Sequence, residues 1–213
     1  MASPRRVKAK PATAYHHGAL REALLQAAEQ VLEVEGLESF TLRECARRAG
    51  VSHGAPAHHF GDAGGLLSEL AATGFDRLTA LMLKYRAAAD PAPLLQLRAA
   101  GLAYIDFAVA HRALFQLMFR SDRIDAKSPR LQEAGGRAFE TFAEALRSAA
   151  PVPDDEQAPR LLLAWSVVHG FATLLLEGRL DRFTAGVSRE QYAREMGRQI
   201  LSLMDTSIGA QAA

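Results

Sequence analysis

The stretch TLRECARRAGVSHGAPAHHF, residues 41–60, decides the fold of this chain. Thr41 and Glu44 have the spacing of a capping box, in which two side chains satisfy free N–H groups at the start of a helix. Gly50 lies where the chain must leave that helix with a positive φ, which glycine adopts without steric cost. Ser52 can cap a second short helix two residues later. This arrangement predicts a helix-turn-helix, two short helices joined by a tight turn.

The two faces of the predicted unit differ in chemistry. One face carries apolar and small side chains at helical spacing: Leu42, Cys45, Ala46 and Ala49. The remaining exposed positions carry nitrogen donors: Arg43, Arg47, Arg48, His53, His58 and His59. Donors in this pattern suit contacts with the phosphates and bases of DNA. The alternative is that the three arginines form an ordinary solvated helix face.

Composition limits the class of protein without identifying it. The chain has 213 residues, of which 49% are hydrophobic and 23% charged, as expected of a protein with a proper core. The formal charge is only +1, so any basic surface that meets DNA must be local. Cys45 is the one cysteine, which excludes an intrachain disulfide.

The basic N-terminal residues precede no apolar run, and the most apolar segment, 161–176, is shorter than the ~20 residues a bilayer needs. We therefore expect a cytoplasmic protein without membrane contact.

The rest of the chain predicts an all-α fold. Apolar residues recur at spacings of three and four, and alternating strand patterns are missing. The expected organisation is a flexible basic arm (residues 1–15), a DNA-binding domain with the helix-turn-helix (16–62) and a helical ligand-binding and dimerisation domain (63–213). The predicted helices, about nine in number, cover residues 18–35, 41–49, 52–60, 63–88, 94–110, 112–119, 129–149, 156–177 and 188–205.

The pattern TLRExAxxAGVSxGxxxxHF, in which x is any residue, resembles the signature of the TetR family of transcriptional regulators. It follows one N-terminal helix that ends in Glu35-Gly36, as in that family. The resemblance implies binding to a pseudo-palindromic DNA operator. It places the DNA contacts at Arg43, Arg47, Ser52, His53, Gly54, Ala55, Ala57, His58 and His59, with Lys8 and Lys10 of the basic arm.

Two positions depart from the family pattern. Ala57 stands where the family usually has a phosphate-binding tyrosine, and Ala63 where it usually has lysine. Both departures remove contacts with the DNA backbone, so affinity and its salt dependence should fall. A weak DNA binder that acts as an activator or through a protein partner is therefore one alternative to a repressor. A helical ligand-binding protein without DNA binding is another.

Family resemblance gives the C-terminal region two tasks, dimerisation and sensing of a small-molecule effector. A dimer also follows from the helix-turn-helix, because one unit reads only a half-site. The expected dimer surface lies on the last two helices: Leu161, Trp165, Val168, Ala172, Leu175, Ile200, Leu203 and Met204. The alternative for each of these residues is the core of one chain.

Aromatic residues and methionines cluster in the middle helices, which indicates an apolar pocket. The candidate lining residues are Leu78, Met82, Tyr104, Phe107, Phe115, Phe119, Phe139, Trp165 and His169, with core packing as the alternative for each. The apolar helices carry no prominent charged group, so we expect a neutral or apolar effector. Trp165, His169 and Gly170 also resemble the Trp-His-Gly motif of one TetR subgroup.

Catalytic and metal-binding patterns do not support an enzyme. Adjacent histidines on a helix point about 100° apart, so the pairs at 16–17 and 58–59 are poor chelators. The sequence has no Gly-rich phosphate loop, nucleophile elbow or His-Glu-x-x-His motif. We expect no catalytic residue, no metal and no cofactor.

Overall fold

The computed structural model describes residues 13–207, apart from 121 and 185. Over these residues the chain forms nine α-helices and one short 3-10 helix, without strands, which confirms the all-α prediction. The helices are α1 (Thr13–Glu35), α2 (Leu42–Ala49), α3 (Ala55–Phe60), α4 (Ala63–Ala88), α5 (Pro93–Ala110), α6 (Arg112–Met118), α7 (Pro129–Ala149), α8 (Asp154–Leu176) and α9 (Arg189–Ser207); the 3-10 helix spans Asp181–Phe183.

Two helix starts differ from the prediction by three residues or more. Helix α1 begins at Thr13, so residues 13–15 of the predicted arm are helical, while Lys8 and Lys10 lie outside the described residues. Helix α3 begins at Ala55 instead of after Ser52. The Ser52 carbonyl accepts the Ala55 N–H at 3.0 Å, which places Ser52 in the turn.

Local signals set most of the other boundaries. Gly36 ends α1 with a φ of +77°, as its position after the last apolar residue predicts. The Asp62 carboxylate caps α4 by accepting the Gly65 N–H at 2.8 Å. The Ser188 hydroxyl caps α9 in the same way by accepting the Gln191 N–H at 3.1 Å. These ends are fixed by residues a few positions apart, so they could be predicted from sequence.

The chain divides into two compact units between Leu66 and Leu67. In the first unit α1 packs against α2, and α2 against α3. The buried residues of α1 and α2 are Leu24, Ala27, Ala28, Val31, Leu32, Cys45 and Ala46. Burial raises the pKa of the Cys45 thiol to about 11. The thiol therefore remains protonated and fills space as a small core residue.

In the second unit α5 is the central helix. It packs against α7, α8 and α9, and residues around its whole circumference are buried. It packs tightly against α9 at Gly101, where a Cβ atom would lie only 2.5 Å from Cδ2 of Leu201. A glycine at this position therefore lets the two helices pack in contact.

Helix α8 has two different apolar faces. By length and composition alone it could cross a membrane. One face packs within the second unit and buries Val168, Ala172 and Leu175. The opposite face leaves Leu162, Leu163 and Leu174 exposed. The exposed side of α8 therefore carries three large apolar side chains that this chain leaves uncovered.

Candidate nucleic-acid interface and ligand cavity

Backbone hydrogen bonds and one cap shape the predicted helix-turn-helix. The Thr41 hydroxyl accepts the Glu44 N–H at 3.2 Å and so caps α2. Gly50 follows α2 in the left-handed conformation, with φ of 68° and ψ of 31°. The Val51 N–H then donates to the Ala46 carbonyl at 3.0 Å, which satisfies a free carbonyl of the last turn. The turn therefore depends on the glycine that the sequence places there.

Helix α3 presents an exposed surface of small residues and imidazoles. Pro56 is buried in its first turn, where the missing N–H of proline is harmless. The predicted contact residues around it divide into an exposed set, Ser52, His53, Gly54, Ala57 and His58, and a half-buried pair, Ala55 and His59. A surface with so few long side chains can approach DNA closely through its backbone.

Glu44 joins the two arginines near the end of α2. The Arg47 guanidinium donates to it at 2.7 Å through Nε, and Arg48 Nε donates at 2.9 Å. Arg48 also donates to Glu35 at 2.6 Å. The hydrogen bonds from Arg47 and then from Arg48 hold the pKa of Glu44 down at about 2. The carboxylate therefore stays charged at neutral pH and offsets part of the positive charge on this face.

Arg43 differs from the other two arginines of α2 because it lies outside the Glu44 cluster; Arg43 and Arg47 are exposed, and Arg48 is half-buried. Ala57 is exposed, and Ala63 is half-buried at the start of α4; neither can supply a charge. The pairing of Arg47 and Arg48 with Glu44 was not predicted, although the spacing of three and four residues in a helix favours it. Arg43 is thus an exposed arginine of α2 whose charge Glu44 does not offset.

A cavity of about 160 Å³ lies in the second unit, among α4, α5, α7, α8 and the C-terminal end of α6. Its walls are formed almost entirely by apolar and aromatic side chains. The lining residues are Phe75, Leu78, Met82, Tyr104, Phe119, Gly135, Ala138, Phe139, Phe142 and Trp165. The rim is accessible, because Phe139 remains 42% exposed.

Six of the nine predicted pocket residues line this cavity: Leu78, Met82, Tyr104, Phe119, Phe139 and Trp165. Phe107 and Phe115 are not among its lining residues. Both are buried core residues, with the Phe107 ring 4.9 Å from the His111 ring and the Phe115 ring 5.6 Å from the Tyr104 ring.

His169 is close to the cavity but is not among its lining residues. Its Nδ1 atom lies 2.8 Å from the Tyr104 hydroxyl, in hydrogen-bond contact. Its ring is also surrounded by aromatic rings, with centroids at 4.5 Å for Phe119 and 5.9 Å for Trp165. Burial lowers the pKa of His169, so the imidazole is neutral at neutral pH. Its structural role is to hold the Tyr104 hydroxyl at the cavity wall.

Four lining residues were not among the predicted ones: Phe75, Gly135, Ala138 and Phe142. Phe75 precedes Leu78 and Met82 at helical spacing, and Gly135 precedes Ala138, Phe139 and Phe142 in the same way. This periodicity was available, but two of the missed residues are small. A small residue can be assigned to a cavity wall only when the positions of the facing helices are known.

The residues of the predicted dimer surface differ in burial within the single chain. Val168, Ala172, Leu175 and Met204 are buried within the single chain, so their side chains are not free for a partner. Leu161, Trp165 and Ile200 are half-buried, and Trp165 lines the cavity. Leu203 is 73% exposed. The exposed apolar residues of α8 and α9 are thus Leu203 and three neighbours of the predicted set: Leu162, Leu163 and Leu174.

Comparison with curated proteins finds relatives that match part of the chain. The chain is 38% identical over 79 residues to the HTH-type transcriptional regulator BetI of Stenotrophomonas maltophilia, covering 37% of this chain and 40% of that protein. It is 37% identical over 86 residues to the BetI protein of Burkholderia thailandensis, covering 40% and 44%. The match spans less than half the length of these relatives.

Solved structures match nearly the whole chain. A protein of unknown function from Rhodococcus sp. RHA1 is 34% identical, with a TM-score of 0.72, over 89% of this chain and 97% of that one. The TetR family transcriptional regulator PfmR from Thermus thermophilus shares the fold, with 21% identity and a TM-score of 0.60 over 84% and 97%.

Two family descriptions match successive parts of the sequence. "Bacterial regulatory proteins, tetR family" matches residues 24–70, which contain α2, α3 and the turn between them. "Tetracyclin repressor-like, C-terminal domain" matches residues 97–199, which contain most of the second unit. Together they cover both halves of the architecture, and the chain belongs to the TetR family of bacterial regulatory proteins.

Proposed function

We propose that this chain is a homodimeric DNA-binding repressor, released from its operator by a small neutral or apolar effector. The observation that carries the proposal is the geometry of residues 41–60: a capped α2, a left-handed Gly50 and an exposed α3. This is the arrangement by which a second helix enters the major groove. Membership of the TetR family supports the same function, and a DNA-binding regulator is expected to act in the cytoplasm.

The contacts with bases are assigned to α3 and the turn before it. His53 and His58 are exposed there, and neutral imidazole both donates and accepts hydrogen bonds. Arg43 supplies an exposed charge for a phosphate. Gly54 and Ala57 have no side chain that would hold the helix away from the groove. Lys8 and Lys10 are proposed to add phosphate contacts from the N-terminal segment.

Operator binding is tested by fluorescence anisotropy with the DNA upstream of the gene, over a range of NaCl concentrations. Each neutralised phosphate contributes about 0.9 to the slope of log K against log salt. Ala63→Lys should tighten binding and steepen that slope by about 0.9. Ser148→Lys, with the same added charge on an exposed position of α7, should change neither. A chain that shows no salt-sensitive binding to this DNA is not a repressor of its own promoter.

One observation favours a second candidate, a weak DNA binder that acts as an activator or through a protein partner. Arg47 and Arg48 are both hydrogen-bonded to Glu44, and Ala57 offers no phosphate-binding side chain. Fewer free cations mean fewer released counterions and a shallow salt slope. The salt titration therefore separates the two functions. A slope near zero with retained promoter activity in cells would favour the partner-dependent regulator.

A second copy of the chain is proposed to cover the exposed apolar face of α8 and α9. Leu162, Leu163, Leu174 and Leu203 would be buried by it, and the resulting two-fold symmetry would supply the second half-site contact. Sedimentation velocity tests this directly. Leu163→Lys should shift the chain towards monomer, whereas Leu83→Lys, at an exposed leucine of α4, should not. Dimers that survive Leu163→Lys would place the interface elsewhere.

The effector is proposed to occupy the cavity and to act by population shift. A ligand changes DNA affinity only if it binds one arrangement of the paired DNA-binding units more tightly than the other. By linkage, operator DNA must then weaken effector binding by the same factor. The Trp-His-Gly subgroup is proposed on the same grounds, because Trp165 and His169 lie one turn apart on α8 beside this cavity.

A further inference from the structure

We propose that the cavity selects a neutral, single-ring aromatic compound that carries one hydroxyl group, the chemistry of a phenol. The proposal rests on the effector role assigned above and names the chemical class of the effector. Four properties of the cavity support it: its volume, the geometry of its rings, the absence of charge among its described lining residues, and the hydrogen-bonding state of Tyr104.

The volume fits one six-membered ring. The cavity measures about 160 Å³. An apolar cavity of about 150 Å³ engineered into another protein stays dry and binds benzene. A fused two-ring compound or a long acyl chain would not fit wholly within this volume. Size therefore favours a compound of a single ring with few substituents.

The aromatic walls are arranged for another aromatic ring. Phe75 and Phe119 meet at an interplanar angle of 80°, with centroids 5.6 Å apart. Phe139 and Trp165 meet at 81° and 5.9 Å. Both pairs are edge-to-face, so the walls contain ring edges with positive character as well as ring faces with negative character. An aromatic ligand has both kinds of surface and can match both.

Charge excludes ionised ligands of either sign. The lining residues that the structure describes include no acidic or basic side chain. Burying an isolated carboxylate or ammonium without a partner is far more costly than burying a neutral group. The polar side-chain atoms on the wall are the Tyr104 hydroxyl and the Trp165 indole nitrogen. A ligand with a single polar group is therefore matched to the available partners.

A polar group of the ligand would meet the hydroxyl of Tyr104. Burial raises the pKa of Tyr104, so the hydroxyl keeps its proton, and the imidazole of His169 is neutral. The Tyr104 hydroxyl lies 2.8 Å from Nδ1 of His169, in a hydrogen bond whose direction depends on the tautomer of the imidazole, and it also forms a hydrogen bond with Trp165. A hydroxyl group both donates and accepts, so a phenolic O–H matches this cluster in either tautomer.

Binding is tested on the purified full chain by calorimetric titration with phenol, toluene, cyclohexanol, benzoate and benzylamine. Phenol should bind most tightly, because toluene lacks the hydroxyl group, cyclohexanol lacks the aromatic ring, and the last two are charged. Trp165 is the only tryptophan of the chain, so its fluorescence gives a second readout from the cavity wall. Toluene binding as tightly as phenol, or either ion binding more tightly, would overturn the proposal.

Variants distinguish the contribution of the Tyr104 hydroxyl to ligand binding from the contribution of the cavity shape. Tyr104→Phe should weaken phenol about three- to tenfold, the loss of one net hydrogen bond, and leave toluene within about twofold. Tyr85→Phe is the matched control, because its hydroxyl donates to Asp106 at 2.6 Å, away from the cavity, and it should bind phenol like the parent chain. Equal losses in both variants would contradict the role of Tyr104. If Tyr104→Phe does not fold, Ala138→Leu replaces it and should abolish binding of both ring compounds by filling the cavity.

The operator assay distinguishes this proposal from the proposed function. Phenol that binds in the cavity without releasing DNA leaves the ligand class standing and refutes the effector role. A compound outside the class, such as a quaternary ammonium ion, that binds and releases DNA leaves the effector role standing and refutes the ligand class. Phenol that neither binds nor releases DNA refutes the ligand class alone.

Discussion

Adjacent glycines on α7 should respond differently to the same substitution, although both lie inside one helix. Gly135 lines the cavity, and a Cβ atom there would lie 3.9–4.0 Å from the Phe75 ring, an ordinary contact distance. Gly136 is exposed, and a Cβ atom there would meet nothing within 4 Å. Neither glycine has a positive φ, so alanine fits the backbone at both positions. The pair therefore isolates the effect of one methyl group inside the cavity.

The expected gain in stability is similar for the two variants. Alanine is favoured over glycine in a helix interior by about 0.5–1 kcal/mol. For a chain of this size, about 1 kcal/mol corresponds to an increase in Tm of roughly 2–4 °C. Gly135→Ala and Gly136→Ala should thus both raise Tm when measured by circular dichroism. The increase in Tm should be near the upper end of this range for Gly135→Ala, because its methyl group adds contacts with Phe75.

Ligand affinity should separate the variants. An added methyl inside a small pocket costs a ligand about tenfold or more in affinity. Phenol binding measured by calorimetry should therefore weaken by that amount in Gly135→Ala and stay unchanged from the parent in Gly136→Ala. Equal phenol affinities in the two variants would show that the ligand does not occupy this cavity. A fall in Tm for Gly136→Ala would refute the helix-propensity argument.

Three further substitutions test other parts of the structure. Gly65→Ala would place a Cβ atom against the backbone carbonyl of Phe60, which cannot move aside without shifting α3. This substitution should lower the free energy of unfolding by about 1–3 kcal/mol in guanidinium titrations. Gly54→Ala is the control, because a Cβ atom there has open space around it, and it should cost well under about 1 kcal/mol. Thr41→Ala removes the cap of α2 and should cost about 1 kcal/mol in the same titrations, and a cost within error would show that the cap contributes nothing. Burial lowers the pKa of His169 below its ordinary value of 6.5, so the unfolded chain takes up a proton more readily than the folded one and stability falls as the pH drops below about 6.5. His169→Gln should flatten that dependence between about pH 7.5 and 5.5, and an unchanged slope would mean that other groups produce it.

The DNA-binding unit could be predicted from sequence because its determinants are close together in the chain. Thr41 and Glu44 are three residues apart, and Gly50 and Val51 close the turn through bonds to the preceding helix. Signals of this range do not depend on distant packing. The start of α3 was misplaced because Ser52 has two local uses, a cap or a turn residue. The second was realised through its carbonyl.

The cavity could be predicted only in part. Tyr104, Phe119 and Trp165 were found because large aromatic residues in helical proteins cluster wherever a pocket forms. Phe107 and Phe115 are aromatic as well, but they lie in the core. Helical periodicity gives the face on which a residue lies. It does not tell whether the facing helix fills that space or leaves it empty.

Sequence alone determined the class of this protein: an all-α chain with a helix-turn-helix at residues 41–60 and the TetR signature within it. Only the tertiary structure decided how charge and space are used. In the folded chain Arg47 and Arg48 form hydrogen bonds with Glu44, and Val168 and Leu175 are buried in the core. A cavity of about 160 Å³ remains beside Tyr104. The physical reason is range. Caps and turns are set by hydrogen bonds between neighbours in sequence, whereas a cavity is the space left when side chains from several helices meet.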